Sequence, residues 1–139
     1  MKGRKEMTKV FVYGSLKRDF GNHRFLISSM FLGEATSKNA EYTMLSMKWF
    51  PGVCKVGNSF IAGEVYEVSE TTLRRLDHLE GNGTFYTREL ISLSNGMDAW
   101  IWLLPKSYIN EETEFDGVVL DTIGTAEWLG GNKSKECYE

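Results

Sequence analysis

Apolar residues follow the alternating and nearly continuous patterns of β-strands in two parts of this chain. The run 9–13, Lys-Val-Phe-Val-Tyr, is almost entirely apolar and stops at Gly14, which is typical of a buried strand that ends in a tight turn. The segment 59–68 is rich in β-branched and aromatic residues, with a central Gly63 that could mark a bulge. We therefore predict one strand at each of these segments.

A third pattern predicts a β-hairpin. The segments 85–94 and 97–104 are both strand-like, and they flank the dipeptide Asn95-Gly96. This dipeptide readily supplies the two positive φ angles of a type I′ turn, so we predict a hairpin that closes there.

Between the second strand and the hairpin, the apolar spacing changes to that of a helix. Ser69 is a suitable N-cap, and Gly81 stands where a helix commonly ends, so we predict a helix of about three turns between them. Leucines recur at i, i+3 and i+6 and define the face that we expect to contact the core. These leucines are Leu73, Leu76 and Leu79.

Glu80 is out of place in this helical pattern. It lies four residues after Leu76 and seven after Leu73, at the edge of the apolar stripe. Partial burial and the negative end of the helix dipole both disfavour an ionised carboxylate, so we expect a raised pKa, as a general acid/base near neutral pH requires. The same spacing also suits a solvated residue just before a C-cap glycine, and periodicity leaves both readings open.

The turn after the first strand is a second candidate for chemistry. Glycine in Tyr13-Gly14-Ser15-Leu16 permits backbone conformations that direct consecutive N–H groups towards one point, and such nests bind anions, including carboxylates. An ordinary strand-end turn has the same sequence features. Ser15 as a nucleophile is disfavoured, because the G-x-S-x-G elbow is absent and the chain has only 2 histidines that could serve as its base.

Composition narrows the classes of protein that fit. The 139 residues, 42% hydrophobic and 25% charged, suit a single folded domain, 1–139, with an ordered core at about 9–130 and polar ends. The net charge of −3 offers no overall positive field for phosphates, so we expect no nucleic-acid partner.

Cysteine usage and the amino-terminal sequence point to a cytoplasmic protein without a metal. Cys54 and Cys137 are far apart and lack metal-ligand spacing, so we expect reduced thiols and no zinc site. Residues 1–6 are charged and are followed by no apolar segment of the kind that directs export or spans a membrane.

Four motifs together resemble the γ-glutamylcyclotransferase-like (AIG2-like) family. The resemblance runs in order from residue 9 to about residue 104 and fades after Pro105. The combination of YGSLKR with a later LDxLEG and YxR is fairly specific. In this chain the motifs are residues 10–18, 21–23, 76–81 and 85–88.

The resemblance implies an α+β fold, a small, mostly antiparallel (mixed) β-barrel with short flanking helices and a substrate cavity at its mouth. It implies conversion of γ-glutamyl compounds to 5-oxoproline with release of an amine, without cofactor or metal. By the same resemblance, Glu80 is the acid/base, and Tyr86 lines the cavity. The backbone of Tyr13, Gly14, Ser15 and Leu16 would hold the substrate's α-carboxylate.

The implied reaction explains why a carboxylate would be needed. The α-amine of a γ-glutamyl substrate is an ammonium at neutral pH, so a base must remove a proton before the amine attacks the γ-carbonyl. Two other functions remain open at this stage: a non-catalytic module that binds or senses γ-glutamyl-like metabolites, and an interaction scaffold built on the aromatic surface.

Overall fold

A computed structural model describes residues 7–14, 16–18, 20–47, 50–80 and 86–130; for Glu80 it describes the backbone only. Among these residues, strands predominate, with one α-helix and two short 3-10 helices, at His23–Leu26 and Lys106–Tyr108. The strands are β1 (Met7–Val12), β2 (Met30–Thr36), β3 (Tyr42–Ser46), β4 (Pro51–Ser69), β5 (Thr87–Ser92), β6 (Asp98–Leu103), β7 (Val118–Leu120) and β8 (Thr125–Trp128), and helix α1 is Glu70–Glu80.

Strand β4 organises the sheet, because its 19 residues pair with four other strands along its length. Its first part pairs with β3, its centre makes a short parallel contact with β8, and its last part lies between β2 and β1. The path through the sheet is β5-β6-β1-β4-β8-β7, and the β1–β6 contact is also parallel. The fold is therefore α+β with a mixed sheet, as expected.

The expected barrel is wrong, because the sheet does not close among the described residues. Strand β2 pairs with β4 along one edge, and at its other edge only its last residue, Thr36, and the residues just beyond it approach the end of β5 among the described residues. There Ser37 and Leu93 form an isolated bridge, flanked by a hydrogen bond from the Lys38 N–H to the Ser92 carbonyl. The sheet curls towards closure at this one point but remains open.

The predicted strands and hairpin are present, with two differences. Strand β4 begins at Pro51, eight residues before the predicted segment 59–68, because pairing with β3 extends it. In the β5–β6 hairpin, the Gly96 N–H donates to the Leu93 carbonyl and Gly96 has φ +89°. With the Leu93 N–H donating to the Met97 carbonyl, this is the pattern of a three-residue loop with a glycine bulge and not of a type I′ turn.

Buried side chains form two clusters on opposite faces of the sheet, because neighbouring residues of one strand point to opposite sides. In β1, Phe11 belongs to one cluster, whereas Val10 and Val12 belong to the other. Helix α1 covers the second cluster through Leu76, which is fully buried, and Leu73, which is partly buried. This second cluster borders the candidate site.

Helix α1 begins as predicted. The Ser69 hydroxyl accepts a hydrogen bond from the Thr72 N–H at 3.2 Å, which is the N-cap contact, whereas the predicted C-cap Gly81 lies outside the described residues. The predicted core face is correct for Leu76 but not for Leu79, which is 37% exposed. No helix among the described residues is long and apolar enough to cross a membrane.

Candidate functional site

A cavity of about 180 Å³ opens at the carboxyl end of β1, and residues of both buried clusters line it. It is smaller than the pockets of about 300–1,000 Å³ that enclose drug-sized ligands, and it suits one end of a small metabolite. Residues from β1 and the following loop, from the start of β4, from the end of α1 and from β6 line it. They are Phe11, Val12, Tyr13, Gly14, Leu16, Asn22, Phe50, Pro51, Leu79, Tyr86 and Trp102.

Three of the four predicted loop residues, Tyr13, Gly14 and Leu16, line this cavity, whereas Ser15 lies outside the described residues. The loop turns back at once, because the Lys17 N–H donates to the Gly14 carbonyl at 3.0 Å. The reason for a glycine differs from the predicted one: the φ angle of Gly14 is not in the left-handed region. A β-carbon there would lie 2.7 Å from the ring carbons of Pro51, so the close approach of β4 requires glycine.

Two tyrosines line the cavity, and hydrogen bonds to backbone carbonyls orient the side chains of both. The Tyr13 hydroxyl donates to the Trp102 carbonyl at 2.7 Å, and the Tyr86 hydroxyl donates to the Pro51 carbonyl at 2.9 Å. Both side chains are buried. One contact therefore joins the loop after β1 to the end of β6, and the other joins the residue before β5 to the start of β4.

Glu80 is the last residue of α1, and its neighbour Leu79 lines the cavity. The side chain of Glu80 lies outside the described residues, so its predicted position and raised pKa remain predictions. The helix is fixed one turn earlier, where the Asp77 carboxylate accepts a hydrogen bond from the Trp102 Nε1–H at 2.9 Å. Asp77 also lies 3.5 Å from the Nε of Arg88, whose guanidinium stacks on the Trp100 ring.

Two residues that the sequence did not single out, Lys17 and Glu64, hold the loop after β1 in place. Lys17, almost fully buried, donates through Nζ to the Trp128 carbonyl at 2.9 Å, and burial lowers the pKa of its amine despite the nearby Glu127. Glu64 on β4 accepts the Arg18 N–H at 2.9 Å. In the sequence, Glu64 could have been noticed as a charged residue within the largely apolar segment 59–68.

His23 is a further residue that contacts the loop after β1. Its Nδ1 lies 3.0 Å from the Leu16 carbonyl, and its ring contacts Tyr66. These contacts join the loop after β1 to the 3-10 helix that contains His23 and to β4.

The described lining of the cavity is mostly apolar and aromatic, includes the amide side chain of Asn22, and carries no charged side chain. A ligand carboxylate there would have to bind backbone N–H groups or the Asn22 amide, and water exclusion would strengthen those contacts. Across the described ranges, no group of three or more His, Cys, Asp or Glu side chains could hold a metal ion.

Comparisons with known proteins identify the family of this chain. The family model described as gamma-glutamyl cyclotransferase, AIG2-like matches residues 10–128. The Escherichia coli K12 gamma-glutamylcyclotransferase family protein YtfP is 33% identical over 125 residues, which cover 90% of this chain and 99% of that protein.

Two further proteins extend the comparison. The crystal structure of protein PH0828 from Pyrococcus horikoshii aligns with a TM-score of 0.60 at 31% identity, over 70% of this chain and 77% of that chain. The gamma-L-glutamyl-butirosin B gamma-glutamyl cyclotransferase of Niallia circulans is 39% identical over 80 residues, which are 58% of this chain and 50% of that protein. With a family match that spans most of its length and includes the cavity-lining segments, this chain belongs to the gamma-glutamyl cyclotransferase, AIG2-like family.

Proposed function

We propose that this protein is a cofactor-independent γ-glutamylcyclotransferase that converts a small γ-glutamyl compound to 5-oxoproline and releases an amine. One observation carries the proposal: the loop after β1 and the end of α1, 63 positions apart from Leu16 to Leu79, border the same small cavity. The printed name of the Niallia circulans relative supports the same reaction class.

In the proposed reaction, backbone N–H groups of the loop 13–16 bind the substrate's α-carboxylate. This contact and the wall formed by Tyr13 and Tyr86 hold the α-amine next to the γ-carbonyl carbon. Orientation of two groups of one molecule for ring closure lowers the barrier by several kcal/mol, and in the best cases the reduction reaches about 7–11 kcal/mol.

Glu80 supplies the proton transfers. Its carboxylate takes a proton from the α-ammonium, the free amine attacks the γ-carbonyl carbon, and a five-membered lactam begins to form. The ring nitrogen of this adduct still carries one proton more than a lactam nitrogen holds. The bond from the carbon to the departing nitrogen then breaks as the Glu80 carboxylic acid protonates that nitrogen, and the regenerated carboxylate takes the extra proton from the ring nitrogen and passes it to the released amine, which leaves as an ammonium. Both protons of the α-ammonium are then on the leaving group and Glu80 is again a carboxylate, and the largely apolar lining excludes water that would compete for these protons.

The test is release of 5-oxoproline from a panel of γ-glutamyl amino acids, peptides and amines by wild type and Glu80→Gln. We expect Glu80→Gln to lower kcat by at least about 100-fold, because general acid–base catalysis contributes about 10²–10⁴-fold. Its thermal unfolding should remain close to that of wild type.

Glu70→Gln is the matched control, because Glu70 lies on the same helix, is exposed and pairs only at the surface with Arg74 at 3.2 Å. It should retain full activity. Full activity of Glu80→Gln would contradict the catalytic role. Folded wild type that releases no 5-oxoproline from any compound would instead favour a non-catalytic module that binds γ-glutamyl-like metabolites.

A further inference from the structure

Glu64 is a buried carboxylate that lies behind the loop after β1 and does not border the cavity. It is 7% exposed and lies in the last third of β4, the longest strand of the sheet. Charged side chains are almost never buried to this extent unless they are paired. The contacts of Glu64 therefore indicate what the residue does.

The two oxygens of Glu64 bind one end of the loop. Oε1 accepts the backbone N–H of Arg18 at 2.9 Å and the Tyr66 hydroxyl at 3.0 Å. Oε2 lies 3.5 Å from the Nε of Arg18. Burial, together with the hydrogen bond to Glu64, raises the pKa of Tyr66, so its hydroxyl remains a donor throughout the physiological range.

Strand pairing connects Glu64 to the other end of the loop. It is the register partner of Val12, the last residue of β1, so one residue of β4 spans the start and the end of the loop 13–18. The neighbouring Gly63 allows this approach: a β-carbon there would lie 2.5 Å from the Val12 carbonyl oxygen and 2.8 Å from the Phe11 ring.

The contact with the backbone is the important one. A hydrogen bond to a charged acceptor is shorter and stronger than one between neutral groups, and burial protects it from competing water. The contact between the Arg18 guanidinium and Glu34 at 3.5 Å is exposed, with 75% of the Glu34 side chain accessible, and such pairs contribute little.

We propose that Glu64 is a positioning residue that holds the loop 13–18 in the conformation that binds the substrate's carboxylate. This inference rests on the proposed function for the identity of the ligand. Glu64 itself does not touch the substrate. Loss of Glu64 lowers the fraction of molecules whose loop has the binding conformation, which raises KM. Substrate bound to that conformation is oriented as in wild type, so kcat is almost unchanged.

The kinetic test compares wild type with Glu64→Ala, Glu64→Gln and Glu34→Gln on the best γ-glutamyl substrate. We expect Glu64→Ala to raise KM by at least tenfold with kcat within about threefold of wild type. Glu64→Gln keeps the shape and one acceptor oxygen, so its KM should rise by a smaller factor. It also keeps the test decisive if Glu64→Ala does not fold. Glu34→Gln removes only the exposed partner of Arg18 and should match wild type.

Two kinetic outcomes would overturn the proposal. One is a KM within twofold of wild type in a folded Glu64 variant. The other is a fall in kcat at unchanged KM, which is the result expected if the variant merely contained less folded enzyme.

Amide hydrogen exchange provides a readout that does not depend on turnover. We expect the Arg18 N–H to exchange at least tenfold faster in Glu64→Ala than in wild type, and faster by a smaller factor in Glu64→Gln, which keeps one acceptor oxygen. The Leu93 N–H, which donates to the Met97 carbonyl in the distant hairpin, should exchange at the same rate in all three proteins. Unchanged protection of Arg18 would overturn the positioning role even in an active enzyme. An inactive wild type with the expected exchange result would refute the proposed function and leave the positioning of the loop supported.

Discussion

Asp77 should be the polar residue that does most to hold the end of α1 against the sheet. Its carboxylate accepts the Trp102 indole N–H at 2.9 Å and lies 3.5 Å from the Nε of Arg88. The Asp77 and Arg88 side chains are only 22% and 23% exposed, so water cannot readily replace these contacts. Replacement of Asp77 by alanine removes both interactions next to the cavity.

The expected cost follows from these two interactions. A hydrogen bond to a charged acceptor contributes about 1.5–3 kcal/mol, and a partly exposed ion pair contributes about 0.5 kcal/mol. We therefore expect Asp77→Ala to lower the free energy of unfolding by about 2–3 kcal/mol. For a chain of 139 residues, 1 kcal/mol corresponds to about 3–4 °C in Tm, so the expected shift is about 7–10 °C.

Thermal and urea denaturation followed by circular dichroism would measure the change. Asp77→Asn keeps an acceptor for the indole N–H but loses the charge, so it should cost about 1 kcal/mol. Arg74→Ala is the matched control on the same helix: Arg74 is 66% exposed and forms an i,i+4 pair with Glu70, which is worth less than about 0.5 kcal/mol. An Asp77→Ala variant no less stable than Arg74→Ala would refute this reasoning.

Two further predictions concern buried titratable groups. Burial lowers the pKa of Lys17 below 10.5 in the folded protein. Between that lowered value and 10.5, the unfolded chain binds more protons than the folded one, so the contribution of Lys17 to the free energy of unfolding rises with pH. Urea denaturation should therefore show the stability of Lys17→Met relative to wild type falling as pH rises towards 10.5, and a difference that does not vary with pH would contradict this. Burial also raises the pKa of Cys54 from 9.0 to about 11, so iodoacetamide at pH 8 should alkylate Cys54 about 100-fold more slowly in the native than in the unfolded protein. Mass spectrometry of the peptide that contains Cys54 measures both rates, and equal rates would show that the thiol is accessible.

Local patterns predicted the elements whose conformation depends on a few neighbouring residues. The apolar run before Gly14 is a strand, the capped segment after Ser69 is a helix, and the two segments around Asn95-Gly96 form a hairpin. The hairpin turn differs from the predicted type because the register of its two strands, and not the dipeptide alone, determines the loop length.

Pairing between distant segments accounts for what local patterns missed. Residues 51–58 include proline, two glycines, lysine and asparagine and resemble a loop, yet pairing with β3 makes them the first part of β4. Leu79 follows the periodicity of the helix face but lies at its exposed end, beside the cavity.

The sequence by itself determined the family and most of the local elements, and it predicted the site residues, because motifs and apolar periods are properties of short segments. Only the tertiary structure brought Tyr13 and Tyr86 to one cavity, showed that Pro51 requires a glycine at position 14, and connected Glu64 to the Arg18 N–H. These contacts join residues tens of positions apart. They depend on strand register and close packing, which arise when the whole sheet assembles and leave little trace in any one segment.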